Sequence, residues 1–177
     1  MSAARTMRIH LTALTRDAFT PFGEVIETKG SRHYTINDGY AERFHDLAKL
    51  DVSEQGGKPL VSILSTKPRS FPLHIHMMER HPLSSQAFVP LAAMSFLVVV
   101  APPGERARPE DLRAFITDGH QGVNYRRGTW HYPLIAIERP GNFLVIDRDG
   151  PGNKCDEMFF DAVEIMLEAP IASRTGY

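Results

Sequence analysis

Between Leu73 and Leu91 the chain reads LHIHMMERHPLSSQAFVPL, a stretch that sets His74, His76, His81, Glu79 and Gln86 among hydrophobic residues. Imidazole and carboxylate are the usual groups for moving protons near neutral pH or for holding a divalent ion. A lone histidine is ordinarily a surface or hydrogen-bonded residue. Three histidines within eight residues, beside a glutamate, point instead to a site. Read as an extended strand, the segment alternates its side chains with period two. Leu73, Ile75, Met77, Glu79 and His81 then share one face, and His74 and His76 lie on the other. An apolar row ending in a carboxylate and an imidazole suits a strand that enters a mostly apolar cavity. Pro82-Leu83-Ser84-Ser85 breaks that strand, and Gln86 and Phe88 open the next run on a common face.

The elements that must position these groups read mostly as strands. Arg8–Leu14 alternates weakly, and Thr15 is placed to cap a short helix over residues 16–19. Asn37-Asp38-Gly39 is a turn signal between Arg32–Ile36 and Glu42–Leu47, which predicts a hairpin. Leu60–Leu64, Phe71–His81, Met94–Ala101, Arg113–Thr117, Trp130–Ile137 and Phe143–Ile146 follow as strands, separated by Gly- and Pro-rich turns. Residues 118–122 read as a loop. At the end, Val163, Ile165 and Leu167 alternate with Glu164, Met166 and Glu168, the pattern of a half-solvated strand. Many short strands with frequent turns predict a mainly β barrel or sandwich with a few short helices. At 177 residues, with no repeat, linker or low-complexity segment, the expectation is one domain over residues 1–177.

Composition excludes several classes of function. The balance of 20 Lys+Arg against 21 Asp+Glu leaves a formal charge of -1, with no basic tract that would track a nucleic acid. The longest apolar run, Phe96–Ala101, is far short of the roughly 20 residues a membrane helix needs. No signal-peptide pattern opens the chain. The single cysteine, Cys155, cannot form an internal disulfide, and it sits in a turn-rich segment that marks it as a bystander. These features argue against nucleic-acid and membrane partners, and the lone cysteine suits a reducing cytoplasm.

Spacing adds a further layer. Glu79-x-His81, then four residues, then Gln86 is similar in spacing to the first motif of cupin barrels, with two of the three ligand types changed. Gly128-Thr129-Trp130-His131 has the shape of their second motif. Longer stretches carry a sharper likeness: Ile75-His76-x-x-Glu79-Arg80-His81-Pro82 with Gln86-Ala87-Phe88, residues 42–48 (ERFHDLA), residues 112–117 (LRAFIT), and Gln121–Tyr125 through Trp130-His131. Together they resemble the ureidoglycolate lyase family, also called ureidoglycolate hydrolases, over roughly residues 8 to 156. The resemblance implies a cupin-like double-stranded β-helix, a homodimer, and cleavage of (S)-ureidoglycolate to glyoxylate and urea in allantoin degradation and nitrogen assimilation. It also implies nickel as the associated metal.

For that reaction a base must take the hydroxyl proton as the C–N bond breaks. An acid must protonate the departing urea, and a cation or donor set must hold the carboxylate. Glu79, His81 and His131 are the candidate acid/base residues. Gln86, Tyr125, Arg43 and Arg126 are candidates for substrate binding, with Arg148 and Arg113 equally eligible on chemistry alone. Glu79, His81, Gln86 and His131 are the candidate ligands if a divalent metal is bound. The same four residues also suit a metal-free hydrogen-bonded pocket, and both readings stand at this level. Two other functional classes compete: an ammonia-releasing ureidoglycolate amidohydrolase, and a noncatalytic small-acid-binding or regulatory cupin. A metal-dependent cupin oxygenase or isomerase would want a fuller histidine set than this chain offers.

Overall fold

A computed structural model describes residues 5–170. Its architecture is organised on the strand Phe96–Ala101, every residue of which is buried. Alternate side chains of this strand serve two different cores. Phe96, Val98 and Val100 belong to one, and Leu97, Val99 and Ala101 to the other. A strand covered on both faces must be apolar at every position, which explains the unbroken FLVVVA run. Burying each of its larger aliphatic side chains contributes about 1.5–3 kcal/mol.

Phe96–Ala101 lies in a seven-stranded sheet whose order is Asp156–Phe159, Met77–Arg80, Trp130–His131, Phe96–Ala101, Arg113–Ile116, Leu11–Ala13, with Ile135–Ala136 also pairing to the central strand. A five-stranded sheet faces it, in the order Gly23–Ile26, Gly122–Tyr125, Gln86–Pro90, Gly141–Asp149, Lys58–Thr66. The core between these two walls holds Phe19, Phe22, Phe88, Val123, Tyr125, Phe143 and Val145. Phe96 and Phe143 meet across it edge to face at 5.0 Å and 81°. On the other side of the seven-stranded sheet lies a three-stranded one, Arg5–Ile9, Val163–Leu167 and Leu73–His74. The second core fills the space between them. The protein is therefore mostly β, with a barrel formed by the two larger sheets, as the turn-punctuated sequence predicts.

Several local expectations hold. Thr15 caps the helix Arg16–Phe19, its hydroxyl accepting from the Ala18 amide at 3.2 Å. His33–Ile36 and Ala41–Phe44 form the hairpin, and Asn37 and Asp38 take φ of 54° and 56°. Asn and Asp tolerate that left-handed region better than other residues with a Cβ. Val163–Leu167 pairs in parallel with Arg5–Ile9.

Other expectations are corrected by the way strands change sheets. The continuous strand 71–81 is divided into Leu73–His74, in the three-stranded sheet, and Met77–Arg80, in the seven-stranded one. Leu73, Ile75, Met77 and also Met78 join the second core, so the single apolar row leading to Glu79 does not exist. The chain switches partners at residues 75–76, and strict alternation fails there. Residues 8–14 likewise divide at His10 into Arg5–Ile9 and Leu11–Ala13, which pair with different sheets. Residues 130–137 divide into Trp130–His131 and Ile135–Ala136 around Pro133, whose missing N–H cannot serve a ladder. Two further strands, Gly122–Tyr125 and Asp156–Phe159, were not evident in the hydrophobic pattern.

Candidate active site

Strand register brings the central groups together. Met77–Arg80 runs between Trp130–His131 on one side and Asp156–Phe159 on the other. In that register Glu79 stands opposite His131 and opposite Glu157. Residues directly opposite on neighbouring strands share a face, so the glutamate from the first motif meets the histidine from the second. His131 Nε2 lies 3.3 Å from Glu79 Oε1, and His131 is only 1% exposed. His81, just past the end of the strand, brings its ring to 5.3 Å from the His131 ring.

Both imidazoles are oriented by backbone carbonyls. His81 Nδ1 lies 2.8 Å from the Lys154 carbonyl, and His131 Nδ1 lies 3.0 Å from the Thr129 carbonyl. A carbonyl oxygen only accepts, so each Nδ1 carries the hydrogen and each Nε2 is left for the site. Neither Nε2 has a hydrogen-bond partner among the described residues. The 3.3 Å approach of His131 to Glu79 is an ion-pair distance without hydrogen-bond alignment. Tyr125 stacks on His131 at 4.4 Å and 19°, which fixes the plane of the imidazole.

Three more buried polar atoms lack a partner among the described residues on the wall that faces this cluster: Gln86 Oε1, Tyr125 Oη and Asp147 Oδ1. Gln86 stands opposite Tyr125 in the five-stranded sheet. Asp147 follows Phe143 and Val145 at period two, and so takes their inward face. Buried polar groups are almost always satisfied, and a concentration of orphans in one place marks a surface built for something bound. The space beside them is a cavity of about 190 Å³ lined by Leu60, His81, Ser84, Asp147, Lys154 and Cys155, with Leu83 and Arg148.

The electrostatics follow from these neighbours. The His131 imidazole, outweighing burial, holds Glu79 below the usual carboxylate range, so Glu79 is an anion at neutral pH. Burial, with His131 adding to it, lowers His81 below its ordinary 6.5, against the opposing pull of Lys154, Glu79 and Gln86. His81 is therefore neutral at pH 7. Burial, reinforced by Glu79, raises the Tyr125 phenol, which stays a hydrogen-bond donor. Glu79, His81 and His131 place their ligand atoms within 4.8 Å of one another, and so form a group that could hold a metal ion. Glu79, Cys155 and Glu157 form a second such group at the rim. There burial, with Glu79 next, pushes the Cys155 thiol up to about 11, so it is protonated and a poor nucleophile.

Of the residues singled out from the sequence, Glu79, His81, His131, Gln86 and Tyr125 converge here. Arg43 is exposed on the hairpin, opposite Tyr34. Arg126 donates to the Thr20 carbonyl at 3.1 Å and borders a different, larger cavity of about 510 Å³ with Arg16, Arg32 and His45. That cavity holds none of the convergent groups. Arg113 donates to the backbone carbonyls of Glu110 and Leu112. Arg148 does border the 190 Å³ cavity. Its Nε and Nη2 donate to the carbonyls of Glu54 and Pro151, while Nη1 has no partner among the described residues. Gly57 makes room for it: a Cβ at Gly57 would fall 2.2 Å from Arg148 Nε. His74 and His76 lie exposed and apart from the cluster. Asp147, Lys154 and Glu157 are polar residues at the site that were missed in the sequence. Asp147 was within reach, since the alternation of Phe143 and Val145 extends to it.

The family model described as ureidoglycolate lyase matches residues 6–168, a span that includes every residue of the cluster. The chain belongs to the ureidoglycolate lyase family. A ureidoglycolate lyase of Burkholderia cepacia is 52% identical over 159 residues, covering 89% of this chain and 88% of its own. One from Pseudomonas aeruginosa is 50% identical over 166 residues, covering 94% and 97%. One from Pseudomonas fluorescens is 48% identical over 166 residues, covering 94% and 98%. Among solved structures, a dTDP sugar isomerase from Desulfovibrio desulfuricans aligns at 17% identity with a TM-score of 0.45, over 80% of this chain and 88% of that one. The family match over residues 6–168 includes both walls of the barrel.

Proposed function

We propose that this protein is a carbon–nitrogen lyase that cleaves ureidoglycolate to glyoxylate and urea, with the described residues as its catalytic domain. One observation carries the reading beyond family membership: Glu79, His81 and His131 bring their ligand atoms together, with neither Nε2 hydrogen-bonded among the described residues and the opposite wall lined by donors and acceptors. Ureidoglycolate is a carbinolamine, one carbon bearing the hydroxyl, the carboxylate and the ureido nitrogen. When the hydroxyl proton is removed, the C=O bond forms as the C–N bond breaks, and the electron pair leaves on the urea nitrogen, which must gain a proton.

The Glu79–His131 pair suits that transfer. His131 Nε2 takes the hydroxyl proton, the ionised Glu79 beside it stabilises the imidazolium, and the same proton returns to the departing nitrogen. Tyr125, protonated and stacked on His131, offers a donor to an oxygen that gains charge. The cations that border the cavity are Lys154 and Arg148, and these are proposed to face the substrate carboxylate in place of Arg43 and Arg126.

The same donors fit a divalent ion. Two Nε2 lone pairs, their Nδ1 hydrogens anchored on carbonyls, stand with one carboxylate, a set suited to a first-row metal with affinity for imidazole, nickel included. Glu79, His81 and His131 would hold it, with Gln86 beside them, and it would supply a Lewis acid for the hydroxyl and carboxylate oxygens.

A homodimer is proposed as the working form. Lys58–Thr66 is the last strand of its sheet and has no outer neighbour among the described residues, yet Val61 and Ile63 are 63% and 58% exposed. An apolar edge of this kind invites a second strand. Its sequence, Leu60-Val61-Ser62-Ile63-Leu64, places aliphatic residues symmetrically about Ser62. Antiparallel pairing about Ser62 would set Leu60 against Leu64 and Val61 against Ile63 of an identical copy, as a two-fold axis requires. A cytoplasmic location is proposed from the free thiol of Cys155; no helix among the described residues is long and apolar enough to cross a membrane.

The deciding experiment incubates purified protein with racemic ureidoglycolate and measures glyoxylate, urea and ammonia together. Glyoxylate and urea in equal amounts without ammonia support the lyase. Stoichiometric ammonia would assign the amidohydrolase, and no product at all would overturn catalysis. Chelator dialysis, elemental analysis and re-addition of nickel or manganese test the ion: full turnover in metal-free protein would exclude an essential metal.

A further inference from the structure

We propose that Asp147, paired with Gln86, is the specificity-determining residue that receives the N–H edge of the ureido group. The inference rests on the lyase reading and names how one end of its substrate is chosen. The ladder between Gly141–Asp149 and Gln86–Pro90 pairs Val145 with Phe88 and Ile146 with Ala87. The ladder ends there, and continuing its register by one residue would set Asp147 beside Gln86 on the inward face, where neighbouring side chains stand about 5 Å apart. On its other side Asp147 is opposite Leu60, and Gln86 is opposite Tyr125. A row of Leu60, Asp147, Gln86 and Tyr125 thus crosses the wall that faces Glu79, His81 and His131.

Two oxygens in this row are acceptors without donors among the described residues: Asp147 Oδ1 and Gln86 Oε1. A carboxylate oxygen without a hydrogen accepts, so Asp147 Oδ1 is satisfied by a donor. Ureidoglycolate carries donors at one end, where the internal N–H and the terminal NH₂ present parallel N–H bonds along one edge. Its other end carries a carboxylate, which two acceptor oxygens would repel. Asp147 therefore accepts the ureido edge and turns the substrate carboxylate from itself toward Lys154 and Arg148, the cations that border the same cavity. Buried acceptors left unpaired also reject analogues that lack the N–H groups.

The test is Asp147→Asn, which keeps the shape and replaces one acceptor oxygen by a donor, with Gln86→Leu as a second variant. The readouts are KM and kcat for ureidoglycolate, inhibition by methylurea, which keeps the N–H edge, inhibition by glyoxylate, which lacks it, and melting temperature. Hydrogen bonds to charged groups are worth enough that Asp147→Asn should raise KM and the methylurea inhibition constant about 10- to 100-fold. Glyoxylate inhibition should change less than about twofold in the same variant. Unchanged methylurea inhibition, or equal weakening of methylurea and glyoxylate, would overturn the assignment. The failure of the lyase reading would look different: wild-type protein would form no glyoxylate. In that event calorimetric binding of methylurea to the wild type, lost in Asp147→Asn, would still support the recognition role, and equal binding to both would refute it.

Discussion

Replacing Glu79 by Gln is the sharpest test of how this site works. The substitution keeps the side-chain shape and removes one negative charge 3.3 Å from His131 Nε2. That charge is the partner that favours a protonated His131 during transfer, and it is one of three converging ligand atoms. Loss of a positioned acid/base group typically costs on the order of 10²–10⁴ in rate. At about 1.36 kcal/mol per decade this corresponds to roughly 3–5 kcal/mol of transition-state stabilisation. Stability should change far less. Glu79 is a quarter exposed, its contact with His131 lacks hydrogen-bond alignment, and the new amide can donate to Nε2. A change within about 1 kcal/mol in denaturant unfolding is expected. The assay follows glyoxylate by its phenylhydrazone, with urea measured in parallel and metal content determined for both proteins. A kcat/KM within about threefold of wild type would refute the role assigned to Glu79 in the proton transfer at His131.

Three further outcomes follow from the geometry. His81 is held below its ordinary value by burial, so the unfolded chain binds the proton that the folded site refuses. Its stability contribution is present above the unfolded value of 6.5 and is lost as pH falls below it; His81→Asn should flatten the fall in melting temperature between pH 7 and 5, and an unchanged slope would exclude the cause. Phe96→Ala removes a wholly buried ring packed on Phe143 and should cost about 3–5 kcal/mol in urea unfolding, with a loss under 1 kcal/mol counting against the described core. Val61→Lys with Ile63→Lys should convert a dimer to a monomer in sedimentation at micromolar concentration, and a dimer that persists would place the interface elsewhere.

The one-dimensional pattern determined a good deal of this protein. Runs such as FLVVVA, the Thr15 cap and the Asn37-Asp38-Gly39 turn act over a few residues, and their physics is local. The pairing of Glu79 with His81 on one side of a short segment is local too, as is the extension of the Phe143–Val145 alternation to Asp147. What the chain in one dimension does not contain is strand order. Glu79 meets His131 because Met77–Arg80 and Trp130–His131 are sheet neighbours, an adjacency between segments some fifty residues apart in sequence. The arginines show the same limit. Arg43, Arg126 and Arg148 have the same chemistry, and only the tertiary structure separates the one beside the cavity from one on an exposed hairpin and one bonded to the Thr20 carbonyl. The break at residues 75–76 has the same origin. Period two holds only while a strand keeps one sheet, and the decision to leave for another is made by the partners it finds, not by its own side chains.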